Sequence, residues 1–217
     1  MCGRFVIGGD FRDKLNELME AEGIAPDVSS EGVTLPARGG GVTCAPIYAD
    51  TGQDVFPSDA SLVFCQKDGG PAAAKMFWGF SNPYRKGLII NARAETAREK
   101  PLFADSIMNR RCLIPASGFY EWDPYKARFR FADQDDGLIL LAGFFREEAG
   151  QPRYTILTTQ ANESMSSVHD RMPVMIRRSE IRAWISDNEK LEEFLTRPQV
   201  QLACEQDSGQ IRMNFGV

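Results

Sequence analysis

Between residues 10 and 23 the apolar positions Phe11, Leu15, Leu18 and Met19 fall on one face at helical spacing. Asp10 is placed to cap the start and Gly23 to end it, so the pattern predicts one amphipathic helix. A short strand is expected before it, in CGRFVIG. Residues 24–41 contain PARGGG and read as a loop. The pattern then changes. SLVFCQ, KMFWGF, LIINAR, CLIPAS, GFYEW, ARFRFAD, LILLAGFF and RYTILTT are rich in β-branched and aromatic residues and predict strands. ETAREKPLFADSIMN, ANESMSSVH and NEKLEEFLTR predict short helices among them. The strands do not alternate regularly with long helices. The expected class is therefore α+β with a largely antiparallel sheet, flanked by short helices, rather than a doubly wound fold.

The 217 residues, 43% of them hydrophobic, suit one compact domain spanning 1–217. Apolar runs such as 138–142 are too short to cross a membrane, and the N-terminus lacks a signal-like pattern. The chain reads as soluble, cytoplasmic and without a membrane partner. Its five cysteines stand at 2, 44, 65, 112 and 204 with no CxxC pair. That spacing argues against a disulfide framework or structural zinc, and no metal or other cofactor is expected. A net charge of −5 argues against a generic polyanion binder. Nucleic-acid binding would need the basic residues gathered on one face.

Several short stretches carry candidate chemistry. MCGRF places Cys2 directly after the initiator methionine; with Met1 removed, a thiol and a free α-amine would sit on adjacent carbons. His169, in VHDRMPV, is the only histidine, and reads either as a proton shuttle or as a half-exposed turn residue. In INARAET, strand alternation would put Asn91, Arg93 and Glu95 on one face. That face is either a solvated sheet surface or the floor of a site. Glu121 lies between Tyr120 and Trp122. A carboxylate among aromatic rings loses solvation, which suits proton transfer; the plainer reading has it pointing outward while its neighbours face in. FWGFSNPY supplies Trp78 and Tyr84, which belong to the core or stack on unpaired bases.

MCGRF, WG followed by an aromatic residue, NARAET, CLIPASGFYEW and VHDRMPV occur in this order over residues 1–185. Together they resemble the SRAP (SOS response-associated peptidase) family. The resemblance implies curved β-sheets around a central groove, and a monomer that captures abasic sites in single-stranded DNA, close to the nucleoid. It implies a stable thiazolidine crosslink through Cys2, self-removal of Met1, and abasic-site lyase activity. Carried over, Cys2 is the nucleophile, Asn91 holds the N-terminal group, and Glu121 and His169 move protons. Arg4, Arg93 and Arg171 grip phosphates, and Pro46, Trp78, Tyr84 and Trp122 line the DNA. The chain departs from the family pattern at Val42–Pro46, where Thr43 replaces the usual Asn. It also departs after WG, where SNPYRKG replaces a Trp–Trp pair and leaves Tyr84 to stack.

Two other classes share features with the chain. Glutamine amidotransferases with an N-terminal nucleophile also begin MCG, yet that class does not account for SGFYEW or HDRMP. A binding module for modified DNA bases would use the same groove without covalent chemistry. Glutaminase activity marks the first, and a complex lost on denaturation marks the second.

Overall fold

The computed structural model describes residues 3–26, 53–67, 70–135 and 137–207. Strand β1 (Phe5–Ile7) leads into helix α1 (Phe11–Glu22), which buries Phe11, Leu15, Leu18 and Met19 as their spacing requires. The Asp10 side chain makes no capping bond and pairs with Lys14 at 2.6 Å instead. Gly23 ends the helix in the left-handed conformation, and its N–H and that of Ile24 satisfy carbonyls of the last turn. Of the loop expected over 24–41, only the start is described, where Ala25–Pro26 form β2.

The remaining elements follow in chain order. They are β3 (Gln53–Val55), β4 (Ala60–Lys67), β5 (Gly70–Trp78), β6 (Phe80–Ser81), β7 (Leu88–Ile89), β8 (Asn91–Arg93), α2 (Ala94–Ala97) and α3 (Ala104–Asn109). Next come β9 (Arg111–Ala116), β10 (Gly118–Trp122), β11 (Arg128–Ala132), β12 (Ile139–Glu148), β13 (Gln151–Gln160) and β14 (Arg171–Pro173). Helices α4 (Ile181–Ser186) and α5 (Leu191–Thr196) precede β15 (Ala203–Gln206).

The expected α+β, largely antiparallel class is what the chain adopts. Among the described residues only β2 with β5, β5 with β13 and β8 with β13 pair in parallel. One sheet has the order β15-β11-β10-β1-β3. The other runs β14-β13-β12-β9-β4-β5-β2 and closes on itself, because β13 also pairs with β5. Strands β4, β5, β13, β12 and β9 thus form a five-stranded barrel.

Register assigns the barrel's inner face. Ser61↔Met76, Trp78↔Tyr154, Gly143↔Ile156 and Cys65↔Cys112 are directly opposed pairs that point the same way. Ser61 Oγ and Tyr154 Oη meet at 2.8 Å across the interior. At Gly143 a Cβ would come within 2.6 Å of the Thr155 carbonyl, so β12 and β13 approach closely there. Phe5 of the five-stranded sheet packs on Trp78 of the barrel, ring centroids 5.3 Å apart, and joins the two sheets into one core.

Three expected elements are interrupted. The strand through KMFWGF breaks at Gly79 (φ +102°), where a Cβ would lie 2.9 Å from that of Leu88. LIINAR breaks at Ile90, whose carbonyl accepts from the Trp78 indole at 3.0 Å and from Ile156 N–H at 3.1 Å. The helix expected over 95–109 splits into α2 and α3 around Pro101, which has no N–H and disfavours helical backbone at Lys100. ANESMSSVH forms successive turns rather than a helix.

Candidate functional site

On β10, Glu121 faces inward and is 3% exposed, whereas Tyr120 and Trp122 are half-buried on the opposite face. The alternation is the reverse of the plain expectation of an outward glutamate. Tyr120 and Trp122 share their face with Arg4. The guanidinium carbon of Arg4 lies 4.6 Å from the ring centroid of Phe56, 5.3 Å from that of Trp122 and 6.0 Å from that of Tyr120. Arg4 also pairs with Asp54 at 3.2 Å. Trp122 therefore packs against a cation already on the protein. Phe5 pairs with Phe119, and Tyr120 N–H donates to Arg4 O at 3.0 Å. Met1, Cys2, Thr43 and Pro46 lie outside the described residues.

A second group sits on three neighbouring strands. β13 runs between β8 and β14, with Ile156↔Asn91, Thr158↔Arg93 and Gln160↔Arg171 in register. Arg93 is exposed. Arg171 is held: both oxygens of Glu95 accept from its guanidinium, at 2.7 and 2.8 Å, and Thr158 O accepts at 2.6 Å. That hydrogen bond holds the Glu95 carboxyl below its ordinary range against the opposing effect of burial. Glu95 does not share a strand face with Asn91 and Arg93, because the strand ends at Arg93 and Glu95 lies in the first turn of α2. His169 Nδ1 accepts from Arg171 N–H at 2.9 Å, and Asp170 Oδ1 also lies 2.9 Å from it.

A cleft of about 520 Å³ opens beside Asn91, and Arg93, Tyr84, Arg85 and Lys100 line it with apolar Ile89 and Phe103. No Asp or Glu is among the described lining residues. Tyr84 is 86% exposed on the arm between β6 and β7. The base of that arm is tied down: Arg146 bonds Glu148, Ser81 O and Leu102 O, and Ser81 N–H donates to Glu148 at 3.0 Å. A rigid base presents Tyr84 and Arg85 at the rim. Arg85 and Lys100 were not among the residues expected from sequence; the signal for them is a Tyr-Arg-Lys tip between Pro83 and Gly87, and a lysine just before Pro101.

The structure thus brings Asn91, Arg93 and Tyr84 together in one cleft and sets His169 and Arg171 on the far side of β13. It puts Arg4, Glu121 and Trp122 on the other sheet. Trp78, expected to line DNA, is instead fully buried and stacks on Tyr154 with centroids 6.4 Å apart. Its contribution is indirect, since its indole holds the carbonyl one residue before Asn91. Among the described residues no cluster of three His, Cys, Asp or Glu could hold a metal, and no helix is long and apolar enough to cross a membrane.

Relatives share much of this chain. It is 32% identical over 200 residues to the abasic site processing protein YoqW of Bacillus subtilis, covering 86% of this chain and 80% of that one. It is 30% identical over 185 residues to the abasic site processing protein HMCES of Xenopus tropicalis, covering 66% and 55%. A crystal structure of a Bordetella bronchiseptica protein has the same fold, with a TM-score of 0.68 at 21% identity over 94% of this chain and 99% of that one. Residues 1–211 match the SOS response associated peptidase (SRAP) family, and the chain belongs to it.

Proposed function

We propose that the protein captures abasic sites in single-stranded DNA as a covalent adduct of Cys2. One observation carries the reading: the cleft beside Asn91 gathers Arg85, Arg93 and Lys100 with no carboxylate among its described lining residues, on a chain of net charge −5. Uncompensated positive charge in a cleft attracts a polyanion whatever the net charge. The relatives' names supply the substrate class. The buried, inward-facing Glu121 supports a carboxylate placed for proton transfer.

The chemistry starts with hydrolysis of the Met1–Cys2 peptide bond, with Glu121 activating water. The freed α-amine has an ordinary pKa of about 7.7–8.0 and is partly nucleophilic near neutrality. It adds to the aldehyde carbon of the ring-opened sugar, and loss of water leaves an imine. The Cys2 thiol then adds to the imine carbon while its proton passes to nitrogen, closing a five-membered thiazolidine. The second attack is intramolecular and gains the large effective concentration of a tethered group. Asn91 holds the N-terminal amine, and Glu121 and His169 carry protons between steps. Arg85, Arg93 and Lys100 hold phosphates, and Arg4 and Arg171 shape the walls on either side. Tyr84, with Pro46 and Trp122, meets the bases. The whole chain, 1–217, acts as one unit and as a monomer, in the cytoplasm near the nucleoid during the response to DNA damage. Lyase cleavage of the strand is a side path of the imine.

The test is incubation with an abasic single-stranded oligonucleotide followed by denaturing electrophoresis. A heat-stable adduct is expected, lost in Cys2→Ala, and intact mass of untagged protein should show loss of one methionine. Equal adduct from Cys2→Ala refutes the reading. Binding that vanishes on denaturation makes the protein a non-covalent binder, and glutaminase activity makes it an amidotransferase.

A further inference from the structure

We propose that Glu95 is a positioning residue for His169: acting through Arg171, it keeps the neutral imidazole protonated at Nε2. The proposal rests on His169 taking part in the reaction above. β14 is a three-residue edge strand with β13 as its ladder partner, bracketed by backbone bonds from Ala161 N–H to Asp170 O and from Val174 N–H to Leu157 O. Its first residue is Arg171, whose side chain is 14% exposed and whose Nε is buried without a hydrogen-bond partner among the described residues. The planar, two-pronged pair with Glu95 and the bond to Thr158 O are therefore what compensate this guanidinium. They run from α2 across β13 and add a side-chain restraint to the backbone bonds that hold Arg171.

The backbone of Arg171 then acts on the ring. Its N–H donates to His169 Nδ1 at 2.9 Å. A ring nitrogen that accepts carries no proton, so in the neutral imidazole the proton is on Nε2. Asp170 Oδ1 competes for Nδ1 at the same distance. Nδ1 has one position in the ring plane: it accepts from Arg171 or, once protonated, donates to Asp170. The Asp170 side chain is 85% exposed and water can serve it, whereas the Arg171 N–H is part-buried and costly to leave unmade. The neutral ring keeps the Arg171 bond. It offers an N–H at Nε2 rather than a lone pair, so the neutral ring donates a hydrogen bond to a sugar oxygen and does not deprotonate the amine. The ring gives up the Nε2 proton only from its cationic form, returning to neutral with the remaining proton on Nδ1. Asp170 accepts a hydrogen bond from Nδ1–H when the ring is cationic.

His169 is the chain's only histidine, so long-range 1H–15N imidazole correlations of the full-length labelled protein report this ring alone. With the ring neutral, wild type should show the Nε2–H form. Glu95→Gln should show mixed tautomers, and Glu95→Asp should recover the wild-type pattern in part. In single-turnover adduct formation Glu95→Gln should be slower by about tenfold or more, with affinity for intact single-stranded oligonucleotide within about twofold. Holding a catalytic imidazole in the wrong tautomer costs up to about 10⁴ elsewhere. An Nδ1–H wild type overturns the proposal, and this spectrum decides even where a variant fails to fold. An unchanged tautomer in Glu95→Gln, or affinity falling in step with rate, also overturns it. The spectroscopic arm uses no DNA. Absence of adduct with a responsive tautomer refutes the proposed function, whereas an unresponsive tautomer in a crosslinking protein refutes this inference alone.

Discussion

Two clefts meet near the end of β8, and charge separates them more than size does. The larger, about 960 Å³, is lined by Glu95, Arg98, Glu99, Glu192 and Arg197 among others. Its arginines are answered: Arg98 pairs with Glu192 at 2.5 Å, and Arg197 reaches both oxygens of Glu180 at 2.6 and 2.7 Å. The smaller, about 520 Å³, has three cations and no carboxylate among its described lining residues. A cleft whose charges are already matched has little to offer a phosphate. The larger volume is thus the weaker candidate.

The largest effect that can break this comparison is catalytic. Glu121→Ala and His169→Ala should slow single-turnover adduct formation by about 10²–10⁴-fold, the usual contribution of positioned proton transfer. Unchanged rates in both folded variants would move the reaction elsewhere. Next comes binding. Arg93→Ala and Lys100→Ala should each lower the log–log salt slope for single-stranded DNA by about 0.7, the value for one lost phosphate contact. Arg98→Ala should leave the slope alone; an equal loss there would erase the distinction between the clefts.

A smaller effect follows acidification. Hydrogen bonds from Arg171 and Arg197 hold the Glu95 and Glu180 carboxyls below their ordinary range. A lowered folded-state pKa contributes stability above the unfolded value, about 4.3, and that stability disappears as pH falls through the folded value. Melting temperature should therefore drop below about pH 4.3. The drop should be shallower in Glu180→Gln, measured by thermal unfolding across pH. The smallest effect belongs to the exposed Arg98–Glu192 pair. Such pairs contribute about 0–1 kcal/mol, so Glu192→Ala should shift the melting temperature by no more than about 2–4 °C. Its adduct rate should equal that of wild type.

What local pattern controls was legible in the sequence. The spacing of Phe11, Leu15, Leu18 and Met19 foretells α1, and β-branched runs foretell β4, β9, β12 and β13. Pairing was not legible, because the alternation within β5 and β13 says which faces are buried but not that the two strands meet. Trp78 shows the same limit: a tryptophan near a site motif reads equally as a wall or as core, and only Tyr154 and Phe5 around it decide. Glu121 stayed ambiguous because an isolated alternation has two possible phases. Arg85 and Lys100 stand on separate loops, and their shared cleft exists only once Pro101 turns the chain.

The pairing of β1 has a consequence in time. Phe5 can meet Val55 of β3 early but meets Phe119 of β10 only after more than half of the chain has been made. At roughly 5–20 residues per second, that delay is on the order of ten seconds. The barrel waits longer still, since β5 cannot meet β13 until residue 154 has emerged. Strand β1 is thus made well before β10, its partner in the five-stranded sheet. Newly made chains therefore pass through an interval in which β1 has not yet met β10 and the barrel is still open.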